Sequence, residues 1–113
     1  MKILRKIRSI THKSQKSCVV TEFPLKDTDI NAAIVKLSGR YPEKGRAVNS
    51  VSKELAYIMS GSGYIVAEGR KTTLNKGDLI MISPGERYFL NGRLALFISN
   101  TPAWHLGQYK MVD

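Results

Sequence analysis

The chain has 113 residues, a formal net charge of +9, one cysteine and 42% apolar side chains. That length fits one domain with its own core. A lone cysteine, Cys18, excludes an internal disulfide, and no Cys/His cluster has zinc-site spacing. No apolar run approaches the roughly 18 residues of a membrane span, and charges break up the start MKILRKIRSI, so it does not read as a signal peptide. A soluble, cytoplasmic protein without a membrane partner is the expectation.

The charge is unevenly spread. Lys2, Arg5, Lys6, Arg8, Lys13 and Lys16 lie within residues 1–17, which hold no acidic residue. The remaining 96 residues carry 12 basic and 9 acidic side chains, a net +3. The expected organisation is therefore a short basic N-terminal arm, residues 1–17, and a single domain, residues 18–113. Ile3, Leu4, Ile7 and Ile10 fit one helical face or a short edge strand. The plain reading is a solvated arm that aids solubility; contacts with an anion, with a partner subunit or with its own barrel are the alternatives. No aromatic RNA-binding motif, zinc finger or helix-turn-helix pair accompanies it.

After the arm, Ser17 to Glu22 reads as a strand, broken by Pro24 and the polar stretch Lys26 to Asp29. Ile30 to Leu37 is a second strand, ended by Ser38-Gly39. Tyr41 to Gly45 is a loop, and Ala47 to Val51 is short and partly alternating. Leu55 to Met59 is a buried-strand candidate, closed by Ser60-Gly61-Ser62-Gly63. Tyr64 to Ala67 follows, then the hairpin signal Glu68-Gly69 and the strand Lys71 to Leu74. Asn75 to Asp78 is a turn, Leu79 to Ile82 a strand, and Ser83-Pro84-Gly85 its end. Arg87 to Leu90 is short and aromatic. Asn91-Gly92 reads as the best hairpin turn in the chain. Leu94 to Ser99 is the last clear strand, and the tail from Pro102 to Asp113 is less regular, with Trp104 expected to anchor it. Many short strands separated by glycine turns predict an all-β sandwich or barrel.

Two segments together resemble the cupin superfamily. Glu54 to Gly61 (ELAYIMSG) looks like the end of cupin motif 1, with a glutamate seven positions before a glycine across a buried strand. Gly77 to Tyr88 (GDLIMISPGERY) looks like motif 2, with Gly-Asp, an apolar strand, Pro-Gly and then a histidine position. The resemblance covers about residues 30 to 100. It implies a small antiparallel jelly-roll β-barrel of the RmlC-like kind. In metal-binding cupins these motifs supply three histidines and a glutamate. The resemblance puts the first two histidine positions on Ala47 and Asn49, or on Val48 and Ser50 with a shorter spacing, and the third on Tyr88. Only Glu54 is kept, and both histidines, His12 and His105, lie outside the motifs. No metal and no other cofactor is therefore expected.

Asn49, Glu54 and Tyr88 are the ligand-pocket candidates, and no catalytic residue is assigned. The leading expectation is a metal-free cupin binding a small polar or anionic, sugar-like metabolite in its barrel. One alternative is a sugar isomerase or epimerase with Glu54 and Tyr88 as acid and base. The other is a nucleic-acid or protein-binding module working through the basic arm. The resemblance also implies a homodimer. Cys18, beside Val19-Val20, reads as a small buried apolar residue with no base to activate it.

Overall fold

The computed structural model describes residues 1–113. Nine strands dominate it: β1 (Ile10–Gln15), β2 (Cys18–Phe23), β3 (Asn31–Tyr41), β4 (Arg46–Asn49), β5 (Lys53–Ala67), β6 (Arg70–Asn75), β7 (Leu79–Ile82), β8 (Tyr88–Thr101) and β9 (Tyr109–Val112). Two single 3-10 turns, Lys6–Arg8 and Leu106–Gln108, are the only helical pieces. No helix is long and apolar enough to cross a membrane. All strand pairs are antiparallel, and they form one curled sheet in the order β1-β2-β3-β8-β4-β9, with β5 also on β8 and carrying β6 and β7. The all-β jelly-roll expectation holds.

Alternation along the strands sets the inside and the outside. In β5, Glu54, Ala56 and Ile58 are buried, whereas Lys53, Leu55, Tyr57 and Met59 are exposed. The core gathers Cys18, Leu37, Ala47, Ala56, Ile58, Ile65, Leu74, Ile82, Tyr88, Leu90, Leu94 and Leu96. The outer face of β5, β7 and β8 is itself apolar, with Leu55, Tyr57, Leu79, Met81 and Phe97 each more than 40% exposed.

Three expected strand ends turn out to be strand interiors. Ser38-Gly39 lies within β3, Gly61 and Gly63 within β5, and Asn91-Gly92 within β8. Asn91-Gly92 therefore makes no hairpin. Gly92 pairs with Gly39 on one side and with Gly63 on the other, so three glycines form one row across three strands. A Cβ on Gly63 would overlap the Asn91 carbonyl oxygen, and one on Gly92 would overlap the Gly63 backbone. The backbones of β5 and β8 cross too closely there for any side chain, whereas a Cβ on Gly39 would meet only the Ser17 side chain at 3.4 Å. Just before the row, β5 takes up a bulge between Ile58 and Ser60, and such bulges bend strands. The glycines serve a sharp bend in continuous strands rather than turns between short ones.

The Glu68-Gly69 hairpin does form, with both residues at positive φ, 47° and 79°. Two-residue turns of this handedness match the twist of the flanking strands. Glu68 also accepts hydrogen bonds from the Arg87 backbone N–H (2.6 Å) and from its guanidinium (2.9 and 3.1 Å). Those bonds hold its carboxyl at a pKa of about 2. The tail is fixed through Gln108, whose Oε1 accepts from the backbone N–H of Val51 and Ser52, and whose Nε2 donates to Ser52 Oγ at 2.6 Å.

Gly63→Ala isolates the steric part of the glycine row, because the backbone of Gly63 is not in the left-handed region. The substitution should cost about 2–3 kcal/mol in urea unfolding, by forced overlap of β5 and β8. Wild-type stability for this variant would mean that the two strands are free to move apart.

Candidate functional site

The curled sheet encloses a half-open cavity of about 150 Å³. Its walls come from strands far apart in sequence. Val20 of β2, Ala33 and Val35 of β3, and Leu96 and Ile98 of β8 supply apolar lining. Asn49 from β4, Glu54 from β5, and Tyr88 and Asn100 from β8 supply polar groups. Tyr41, Trp104 and Tyr109 add an aromatic wall.

All three residues singled out from the sequence line this cavity. Asn49 is 5% exposed and Ser50 is exposed, which resolves the register before Glu54 in favour of Asn49. Gly85 N–H donates to the Asn49 carbonyl at 2.8 Å, tying the Pro84-Gly85 turn to β4. The Asn49 side-chain oxygen accepts from Trp104 Nε1–H at 2.9 Å. Trp104 thus anchors the tail, as expected, by an edge-on contact with Tyr109 and by this bond into the cavity wall.

Glu54 lies opposite Asn100 and Ile82 on its two neighbouring strands. Asn100 Nδ2 donates to Glu54 Oε1 at 3.1 Å, and the Asn100 backbone N–H donates to Asn31 Oδ1 at 3.0 Å. Burial pushes the Glu54 carboxyl above its ordinary range, and the single bond from Asn100 only partly offsets that. The protonated acid is favoured because a buried carboxylate loses its hydration. No cationic side chain is close enough to form an ion pair with it.

Tyr88 is buried, and its phenol is pushed well above the ordinary value by loss of solvent and by the nearby Glu54. It makes no side-chain hydrogen bond within the chain, and it lines the cavity, so its hydroxyl is available there. Tyr41 and Tyr109 share a hydrogen bond at 2.7 Å, and burial raises both phenols. Cys18 reaches the cavity wall, with its thiol pushed up to about 11 by burial. A thiol in that state is a poor nucleophile.

The residues do not fit a divalent transition metal. At the four motif positions stand Ala47, Asn49, Glu54 and Tyr88, and Ala47 has no donor atom. Asn49 Oδ1 is engaged by Trp104, and Glu54 Oε1 by Asn100. Nowhere do three His, Cys, Asp or Glu side chains converge. Such sites rely on imidazole, thiolate or carboxylate sets.

Several cavity residues carry no motif signal in the sequence. Asn31, Tyr41, Asn100 and Tyr109 arrive through strand pairing alone. The most distant are His12 and Ser14, which β1 brings to the cavity from the basic segment. Of the apolar positions Ile3, Leu4, Ile7 and Ile10 only Ile10 lies in a strand, and Ile7 lies in the 3-10 turn Lys6–Arg8; the strand is β1, which pairs with β2 and sets His12 opposite Val20. His105 does not reach the cavity.

The cavity and the sheet order define a cupin barrel, and comparison with solved structures agrees. No protein-family model and no curated protein matches the chain. A variant of Streptomyces PAC13 with uridine superposes with a TM-score of 0.90 at 17% identity, over 100% of this chain and 92% of that one. Pac13 is described as a unique nucleoside dehydratase. KdgF from a Halomonas species matches with a TM-score of 0.72 at 13% identity, over 90% of this chain and 94% of that one. An RmlC-like cupin from Shewanella frigidimarina also gives 0.72 at 13% identity, over 88% of each chain. At these identities the likeness establishes the cupin fold.

Replacing Glu54 by Gln tests its environment. Its folded-state pKa is raised above the unfolded value of 4.5. The folded chain therefore holds its proton more tightly than the unfolded chain, and stability falls as pH rises from 4.5 through the folded pKa. Glu54→Gln should raise the melting temperature at pH 8 and change it little at pH 4. A variant less stable than wild type at pH 8 would mean that the ionised carboxylate is the stabilising form.

Proposed function

We propose that the barrel cavity binds a small polar, hydroxyl-bearing molecule of sugar or nucleoside type, and that it does so without a metal. One observation carries this reading: Asn49, Glu54, Tyr88 and Asn100 line one cavity together with apolar and aromatic side chains. An apolar pocket with a few placed polar groups is the usual form of a small-molecule site. The volume of about 150 Å³ takes one six-membered ring. A larger ligand would extend through the mouth beside His12 and Glu22. The aromatic wall of Tyr41, Trp104 and Tyr109 suits the faces of a sugar or a base. The uridine in a PAC13 structure supports the nucleoside branch of this reading. In it the basic arm, residues 1–17, serves the barrel, residues 18–113, as part of the wall.

A second reading makes the protein an enzyme that isomerises or epimerises such a ligand. It is favoured by Glu54, whose burial favours the protonated acid, and by the unpartnered Tyr88 hydroxyl in the same cavity. A carboxylic acid and a phenol can supply hydrogen bonds or protons to a ligand oxygen.

Thermal shift and fluorescence test the binding. A true ligand at 100 times its dissociation constant adds about 2.7 kcal/mol. In a domain of this size the melting temperature should rise by the order of 10 °C. Uridine, other nucleosides, pentoses, hexoses and their phosphates form the panel. Trp104 is the only tryptophan and lines the cavity, so its emission should change on binding. The reading fails if no member of the panel alters either signal. Added EDTA should leave the shift unchanged, and a shift that needs a divalent cation would overturn the metal-free part.

A further inference from the structure

The outward side of the sheet carries charge of one sign. All 9 acidic residues lie in loops and turns or at the C-terminus, except Glu22 and Glu54, which line the cavity. The outward strand positions, which alternate with core and cavity positions, therefore hold no carboxylate. They do hold Lys13 of β1, Lys36 and Arg40 of β3, Lys71 of β6 and Arg93 of β8. None of these five lines the cavity, and none is in an ion pair.

Strand register sets the five in four successive outward rows along β8, at Ala95, Arg93, Asn91 and Phe89. Lys13 is joined through Val19 to Lys36, and Lys36 lies opposite Ala95. Arg93 stands between Ser38 and Ser62. Arg40 lies opposite Asn91, and Lys71 is joined through Val66 to Phe89. Neighbouring rows are about 7 Å apart, the rise of two residues along a strand. The last two rows are also aromatic. The Arg40 guanidinium lies over the Phe89 ring at 3.9 Å, and its Nη1 donates to the Pro42 carbonyl at 2.6 Å. Lys71 Nζ lies 4.2 Å above the Tyr64 ring. Tyr64 meets Phe89 edge-on, and its hydroxyl accepts from Asn91 Nδ2 at 3.1 Å. One face of a well-held guanidinium rests on Phe89, and no second ring covers the other.

We propose that this outer face binds single-stranded nucleic acid, with phosphates along the rows of cations and a base stacked on the Arg40 guanidinium. A nucleic-acid strand offers a repeating anion and a flat base together. Unpaired cations beside a fixed guanidinium plane match that pair of features. An acidic peptide or a lipid headgroup supplies the charge without the base. A second copy docked by the same face would set five unpaired cations against these five. The surface is separate from the cavity and does not depend on what the cavity holds.

Fluorescence anisotropy on the full chain tests this, with labelled mixed-sequence RNA and DNA strands of about 12 nucleotides. Binding should be in the micromolar range at low salt, and with four phosphates neutralised it should weaken about 50-fold between 50 and 200 mM salt. Lys36→Gln with Arg93→Gln should weaken it on the order of 10-fold and reduce the salt slope by about 1.4. Both side chains are exposed, so the melting temperature should not move. Arg40→Lys keeps the charge and loses the plane, so it should cost about 5-fold or more in affinity with the salt slope unchanged. A duplex of the same sequence should bind more weakly than the single strand. The proposal falls if neither strand binds at low salt, if the duplex binds as tightly, or if Arg40→Lys binds like wild type. Loss of binding only in Arg5→Gln with Arg8→Gln would place the contact on the arm and overturn it. Polyglutamate or anionic-lipid vesicles that displace the strand as well as unlabelled strand does, charge for charge, would also overturn it.

Discussion

The barrel depends on a close approach of two backbones, β5 and β8, at Gly61, Gly63 and Gly92. Strand β8 is shared between β3 and β5, and both must bend with it for the sheet to curl around a cavity. Side chains at that crossing would hold the strands apart. Without the curl, Glu54, Tyr88 and Asn49 would sit on a flat, solvated sheet. Every property of the site then changes, because loss of solvent is the largest influence on Glu54 and Tyr88.

The polarity of β5 is partly inverted. Its inner face begins with a carboxyl, while its outer face shows Leu55, Tyr57 and Met59 to solvent. A folded chain does not normally bury a carboxyl on an apolar strand, since an unpaired polar group loses its hydration there. Here the Asn31–Asn100–Glu54 chain of hydrogen bonds gives one oxygen a partner. A group kept at a cost to stability is a candidate for chemistry. The charge of +9, concentrated in the first 17 residues, belongs to the same picture. β1 pairs along β2, so part of the most basic segment helps to build the barrel mouth.

How much of this was legible follows physical range. Local signals read correctly: Glu68-Gly69 is a tight hairpin, Pro84-Gly85 ends β7, and Trp104 anchors the tail. The spacing of Glu54, Gly61, Gly77 and Pro84-Gly85 carried the fold class. It also singled out Asn49 and Tyr88, which line the same cavity as Glu54. The glycines at 39, 61, 63 and 92 were misread as breaks, because a turn and a tight crossing ask the same thing of a residue. Only the neighbouring strand tells them apart. His12, Glu22, Asn31, Tyr41, Asn100 and Tyr109 had no legible role in the cavity. Their proximity comes from pairing between strands up to 69 positions apart, as for Asn100 and Asn31. No local pattern encodes that pairing.

The position of β8 also orders the birth of the fold. It is the eighth of nine strands in the chain, yet it contacts β3, β4 and β5. The earlier strands can form the β1–β2–β3 meander and the β5–β6 hairpin, but no barrel, until residues 88–101 are available. Pairings of such long sequence separation fold slowly, because the loop entropy is lost before the contacts are gained. On a ribosome, the nascent chain would hold the apolar inner faces of β3 and β5 open until β8 emerges. The unfinished protein is then a more natural client for a chaperone than its small size suggests.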